Sequence, residues 1–222
     1  MSTLIIAIDG PSASGKSTVS QQVAALLNYH YVDSGSLYRG ITWQVIKAGI
    51  SYEQKNDIVQ LLEKLHLDFF IKSGSIRFTI DEVYPGKVLR SKHVRDKVSY
   101  IAEIPQVRTW IVCHLRNMTR FGSLVMEGRD IGTVVFPHAE FKFYLNADIE
   151  ARAKRRHNEI KQKKEKSQLM EVKNSLFQRD KLDSSRYIAP LKIAPDAEVI
   201  DTTKMTVQDV VNHIVQIVRS KS

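Results

Sequence analysis

Short apolar, β-branched runs alternate along this chain with longer stretches in which apolar residues recur every three or four positions, the signature of an α/β domain. Residues 3–8 form the first apolar run, and Val19, Val23, Leu26 and Leu27 then fall at helical spacing over 18–27. A strand is predicted at 29–32, followed by a helix to about residue 48 with Leu37, Ile41, Val45 and Ile46 inward and Gly49 as its stop. Ile58, Leu61, Leu62 and Leu65 stripe another helix over 52–65. The period then changes from helical to alternating. Residues 67–71 and 75–80 read as strands joined at Ser73-Gly74, and a turn at Tyr84-Pro85-Gly86 leads into Val88-Leu89-Arg90, which makes about 67–90 a small β-rich insert. Helices are predicted at 91–100 and 105–118, the latter opened by Pro105. Strands follow at 124–126, 141–145 and 197–200. Asp148 is placed to cap a basic helix beginning at 149, and a further helix carries Leu169, Val172, Leu176 and Phe177. The very polar stretch 162–166 predicts the junction between those two helices, and Thr206 caps a last amphipathic helix. Outside the insert this makes five strands.

The 222 residues, 43% hydrophobic and 26% charged, suit one domain with inserts rather than two domains. No apolar run approaches the roughly 20 residues needed to cross a bilayer, and no basic segment followed by a hydrophobic block marks a secretory signal. A cytoplasmic location is expected. The single cysteine, Cys113, cannot form an internal disulfide and reads as a small apolar helix residue. A net charge of +9 fits nucleic acid, an anionic membrane surface or small polyanionic ligands. Its distribution favours the last. The basic residues are not interleaved with base-stacking aromatics, no nucleic-acid module is present, and the charges gather at 152–166 and as single arginines beside short polar motifs. The lysines of the basic run read as a solvated helix face.

The chemistry begins at Gly10-Pro11-Ser12-Ala13-Ser14-Gly15-Lys16-Ser17, which satisfies the G-x-x-x-x-G-K-[ST] phosphate-binding loop in full. Its glycines let the backbone curl with N–H groups pointing inward around a polyphosphate. Lys16 adds a point charge and Ser17 a hydroxyl for a hydrated Mg²⁺. The strand before the loop and the helix after it supply the setting that the motif requires, with the helix dipole under the phosphates.

Three further blocks recur in one order: Asp33-Ser34-Gly35 with Tyr38-Arg39, Gly128-Arg129-Asp130-Ile131-Gly132-Thr133 with Val134-Val135-Phe136-Pro137, and Arg179-Asp180 with Asp183-Ser184-Ser185-Arg186 and Ala189-Pro190-Leu191. Together with the loop they make the chain resemble the bacterial cytidylate kinases, nucleoside monophosphate kinases, over nearly its whole length. The resemblance implies a P-loop kinase core, a five-stranded parallel sheet wrapped by helices. It also implies a nucleoside monophosphate region at about 34–108 that contains the insert, and a helical lid at about 149–187. It implies transfer of the terminal phosphoryl group of ATP to CMP or dCMP with Mg²⁺, by a monomer that binds neither nucleic acid nor membrane.

Carried over residue by residue, the donor side is Gly10, Pro11, Ser12, Ala13, Ser14, Gly15, Lys16, Ser17 and Thr18, with Ser17 on the metal and Arg152, Arg155 and Arg156 from the lid. On the acceptor side Ser34, Ser99, Arg108 and Asp130 look like the cytosine-reading group, Arg39, Arg129 and Arg186 like the phosphate clamp, and Arg179 with Asp183 like the pair at the sugar. The residue types suit these roles. Cytosine offers an amino donor beside ring acceptors, so a carboxylate and a serine accept while an arginine donates; uracil reverses that edge and would face the carboxylate with a carbonyl. Forked guanidinium donors match phosphate geometry. Lys16, Arg129 and Arg186 are the expected catalytic group. Asp33 reads equally as an outer-shell Mg²⁺ ligand or as a turn cap, and Asp9 as structural. The chain departs from the family pattern at Glu127, where aspartate is frequent, and around Tyr84-Pro85-Gly86, neither expected to touch a ligand. Two other readings stay open: a nucleic-acid-stimulated ATPase, which would bind DNA or RNA salt-dependently, and a kinase of another small acceptor, which for a hydroxyl would need a positioned base that is not displayed. The seven histidines have no metal-ligand spacing.

Overall fold

The computed structural model describes residues 3–162 and 167–221. Strand β1 (Ile5–Asp9) lies between β5 and β6, and the sheet order is β3-β4-β2-β5-β1-β6-β7. The strands β2 (His30–Asp33), β5 (Leu124–Gly128), β1, β6 (Phe141–Asn146) and β7 (Glu198–Asp201) are mutually parallel, which is the expected five-stranded core. The sheet itself has seven strands, so the expectation of five is corrected. The insert's hairpin, β3 (Leu67–Lys72) and β4 (Ser75–Ile80), joins the edge through one parallel pair, Tyr31 with Ser75. Nothing in the periodicity of a hairpin tells whether its edge will be paired by another strand. The β character of the insert also ends earlier than predicted: residues Gly86–Arg90 form a 3₁₀ turn rather than a strand.

The helices are α1 (Lys16–Leu27), α2 (Ser34–Lys47), α3 (Lys55–Lys64), α4 (Lys92–Ile101), α5 (Pro105–Asn117), α6 (Ile149–Gln162), α7 (Leu169–Ser185) and α8 (Val207–Lys221). Strand periodicity divides the core between the two faces of the sheet. Along β5, Leu124 and Met126 join Leu37, Ile41, Ile58, Ile104 and Ile111 on one face, while Val125 joins Ile6, Ile8, Val19, Val23 and Ile214 on the other. A third, small cluster of Ala153, Val172 and Leu176 closes the pair α6 and α7, with Ala13 of the loop packed against it.

Several expectations shift in detail. The polar junction falls on residues 163–166, outside the described residues. Helix α2 starts at Ser34 because Asp33 caps it, accepting from the Ser36 N–H at 3.0 Å. Helix α3 starts only at Lys55, and Tyr52, expected inside it, instead stacks on Tyr100 at 4.6 Å. Thr206 does cap α8, reciprocally with Asp209. Phe177 and Leu169, assigned to an apolar stripe, are exposed, as is Leu26. Cys113 lies on α5 but is exposed, so it is not a core residue.

Candidate active site

The carboxyl ends of β1, β2 and β5 lie side by side, and the loops leaving them form one cleft of about 490 Å³. Gly10 begins the loop after β1 at φ +149°, and a Cβ there would stand 2.2 Å from the Leu145 carbonyl oxygen of β6. Only glycine lets the loop pass so close to the sheet. Gly15, at φ +97°, turns the chain into α1, whose first residue is Lys16.

Lys16 is buried. Its Nζ donates to the Pro11 carbonyl at 2.6 Å, and burial, followed by the charge of Arg129, brings its pKa down to about 7. A phosphate beside it would restore the ammonium. Across from it Glu127, the β5 residue, accepts from the Tyr31 hydroxyl at 2.5 Å and from Ser17. Burial, and then the charge of Asp33, raises the Glu127 pKa. Glu127, expected to stay clear of ligand positions, lines the cleft. Its only signal in the sequence was a carboxylate at a buried strand's end. Among the described residues no group of three carboxylates, imidazoles or thiols could hold a metal unaided. Ser17, Glu127 and Asp33 line the same part of the cleft, and the Ser17 side chain is hydrogen-bonded to Glu127.

The opposite wall is basic. Arg39, on α2, pairs with Asp33 at 2.6 Å, which occupies Asp33 as both cap and ion-pair partner. Arg129 follows β5; its Nε donates to Asp183 Oδ2 at 2.9 Å and another nitrogen donates to Ser12 Oγ at 2.9 Å. Asp183, on α7 and buried, also takes Arg186. Burial alone would raise its pKa, but Arg129, Arg186 and Arg179 hold it below the ordinary carboxylate value. Arg179 is pushed down to about 10 by burial and then by the charges of Arg129 and Arg39. The Nε atoms of Arg39, Arg179 and Arg186 are buried without a hydrogen-bond partner among the described residues. Deeper in, Arg108 and Asp130 form a buried ion pair, Tyr38 lies under the guanidinium at 5.4 Å with its hydroxyl unpartnered, and Ser34 and Ser99 complete the wall.

All the expected acceptor residues, Ser34, Arg39, Ser99, Arg108, Arg129, Asp130, Arg179, Asp183 and Arg186, therefore line one cleft with Ser12, Ala13, Gly15, Lys16, Ser17 and Thr18. Gly10, Pro11 and Ser14 lie behind it. Of the lid arginines only Arg156, paired with Glu159 at 2.6 Å, faces the cleft. Arg152 is buried against Ser12, Ala147 and Asp180, and Arg155 donates to Thr202. Asp9, beneath the loop, accepts from the amides of Ile131 and Gly132 at 2.9 and 2.8 Å, a structural role.

Likeness to known proteins agrees with this arrangement. The chain is 39% identical to the cytidylate kinase of Geobacillus sp. (strain WCH70) and 40% identical to that of Anoxybacillus flavithermus (strain DSM 21510 / WK1), in each case over 97% of this chain and 96% of the relative. In fold it is similar to an uncharacterized protein from Eubacterium ventriosum ATCC 27560, with a TM-score of 0.56 at 13% identity over 98% of this chain and 99% of that one. The cytidylate kinase family model matches residues 6–220, which span the loop, the basic wall, α6 and α7, and this chain belongs to the cytidylate kinase family.

Proposed function

We infer that the cleft transfers the terminal phosphoryl group of ATP to CMP or dCMP, giving ADP and the corresponding diphosphate. The observation that carries the reading is that Arg39, Arg179 and Arg186, each with a buried Nε that has no partner among the described residues, line the same cleft as the phosphate loop. Donors left unsatisfied and mutually repelling in a buried site call for an anionic ligand. Here an acceptor phosphate sits between them and the donor held by the loop. Its attacking oxygen is already ionised, since the second phosphate pKa is about 6, so no general base is needed and none is required of the histidines.

Catalysis then consists of alignment and charge compensation. Lys16 holds the donor's outer phosphates, Arg129 and Arg186 grip the acceptor, and Arg156 approaches from the lid. Ser17, with Glu127 and Asp33 nearby, would hold Mg²⁺, and the ion when bound would supply charge neutralisation for the donor phosphates. Ser34, Ser99, Arg108 and Asp130 read the base, and Asp183 with Arg179 meets the sugar. The protein works as a cytoplasmic monomer without nucleic-acid or membrane partners, and no helix among the described residues is long and apolar enough to cross a membrane. The test is to incubate the purified chain with Mg-ATP and each nucleoside monophosphate in turn, following ADP against a no-acceptor control. CMP and dCMP are expected to lead; comparable turnover of AMP or GMP, or ATP hydrolysis driven by polynucleotide, would overturn the reading.

A further inference from the structure

Asp180, beside Arg179 near the end of α7, does not line the cleft and has no part in the chemistry described above. Its contacts are nevertheless with the donor loop. Oδ1 accepts from the Ser12 N–H at 3.1 Å, and Oδ2 pairs with Arg152 of α6. Arg152 in turn donates to the Ser12 carbonyl at 3.1 Å and to the Ala147 carbonyl at 2.9 Å. The three residues close a ring: the amide of Ser12, the carboxylate of Asp180, the guanidinium of Arg152 and back to the carbonyl of Ser12. The Ser12 side chain points the other way and accepts from Arg129, which is bonded to Asp183 one turn further along α7.

We propose that Asp180 is a positioning residue that, through Arg152, staples the bases of both lid helices to the phosphate-binding loop at Ser12. The staple rests on the phosphoryl-transfer reading given above. It fixes the leading half of the loop, which has no helix to hold it, and it fixes the pivot about which the outer lid moves. The lid's cleft-facing residues Arg156, Glu159 and Gln162 lie beyond the ring on α6 and are left to follow the ligands. Arg152 is thereby a strut between Asp180 and the loop. A partly buried charge pair that closes on both backbone groups of a single residue gives geometric definition that an apolar contact of the same size would not. Cutting it loosens the loop and the lid together, so that water reaches the donor phosphates without the acceptor being held in line.

The experiment compares Asp180→Ala, Asp180→Asn and the unmodified chain, with thermal unfolding recorded for each. Kinetics are followed as kcat, KM for ATP, KM for CMP and the ratio of ADP to CDP formed. Asparagine keeps an oxygen for the Ser12 N–H but not the charge for Arg152. The alanine variant is expected to lose at least tenfold in kcat/KM for ATP and to form ADP in excess of CDP, and the asparagine variant to recover part of both. A merely structural Asp180 lowers the unfolding temperature and leaves the folded enzyme's kinetics and its one-to-one product ratio unchanged, which overturns the proposal. If Asp180→Ala does not fold, Asp180→Asn alone decides by the same ratio. An unmodified chain that makes no CDP refutes the phosphoryl-transfer reading itself, a separate outcome.

Discussion

Asp130 and Arg108 are each other's counter-ion at the blind end of the cleft, both buried, and substitution of one is felt by the other. Asp130→Asn keeps the shape while replacing an obligate acceptor by an amide that can turn either edge to the base. The preference for CMP over UMP in a competing assay is expected to fall about tenfold, or about 1.4 kcal/mol; an undiminished preference contradicts base reading by Asp130. Asp9 gives a second outcome at this scale, and one without substrate. Burial outweighs its bonds from the Gly132 and Ile131 amides and raises its pKa from 3.8 to about 6. Between those values the folded chain holds the proton and the unfolded chain has lost it, so this group's contribution to stability falls as pH rises through the window. The drop is about 3 kcal/mol by the shift itself. In urea unfolding, Asp9→Asn is expected to be less stable than the unmodified chain near pH 4, through loss of one amide bond, and to recover by about that amount towards pH 7. A pH-independent difference between the two chains contradicts it. Residues inside contiguous motifs, such as Lys16, Arg129 and Asp130, were legible from their neighbours in sequence. Glu127 and Asp180 were not, because their roles come from Ser17, Tyr31, Ser12 and Arg152, each at least 28 residues away.

At the level of elements, the acceptor wall depends on how α2 seats against the insert. Helix α2 carries Ser34, Tyr38 and Arg39 into the cleft, while its Gly40 faces β4, where an added Cβ would lie 2.9 Å from the Phe78 ring and 3.1 Å from Ile80. Gly40→Val therefore sets a branched side chain against two buried residues of the sheet edge. Overpacking of this kind costs about 1–3 kcal/mol, and the part relieved by displacing α2 moves Arg39 with it. Lower stability in urea and a raised KM for CMP, with KM for ATP nearly unchanged, are expected; unchanged stability means that the insert yields freely. Such packing explains what the periodicity conveyed and what it did not. Short apolar runs placed the core strands and helical spacing the helices to within a few residues, because the central strands are buried on both faces and each helix on one. The docking of β3 and β4 onto β2 hangs on a single pair, the turn at Gly86–Arg90 has no period to detect, and Phe177 keeps helical spacing while facing solvent because the apolar face of α7 packed against α6 runs through Val172 and Leu176.

For the whole molecule, the excess of positive charge has a destination. With 33 basic against 24 acidic residues the chain carries +9, and five of the arginines that line the cleft, Arg39, Arg108, Arg129, Arg179 and Arg186, share only three carboxylates, Asp33, Asp130 and Asp183. Arg179 is the member whose pKa is depressed, by burial first and then by the charges of Arg129 and Arg39, so the ligand-free cleft carries repulsion that a nucleotide's phosphate relieves. Ligand binding should therefore stabilise the fold strongly and locally, rather than through a diffuse field. At a CMP concentration one hundred times Kd, linkage contributes about 2.7 kcal/mol. For a domain of this length that is a rise in Tm of about 5–11 °C at 2–4 °C per kcal/mol. Inorganic phosphate should give a smaller rise through Arg39, Arg129 and Arg186 alone, and cytidine without phosphate a smaller rise still, since it leaves the Nε donors empty. A single-stranded oligonucleotide without terminal phosphates cannot bring a phosphate monoester to that wall, because its backbone phosphates are diesters flanked by sugars, and should leave Tm unchanged at physiological salt. The order CMP above phosphate above cytidine, with the oligonucleotide at zero, follows from charge gathered in a cleft; an oligonucleotide shift equal to that of CMP would mean that the charge serves the outer surface instead.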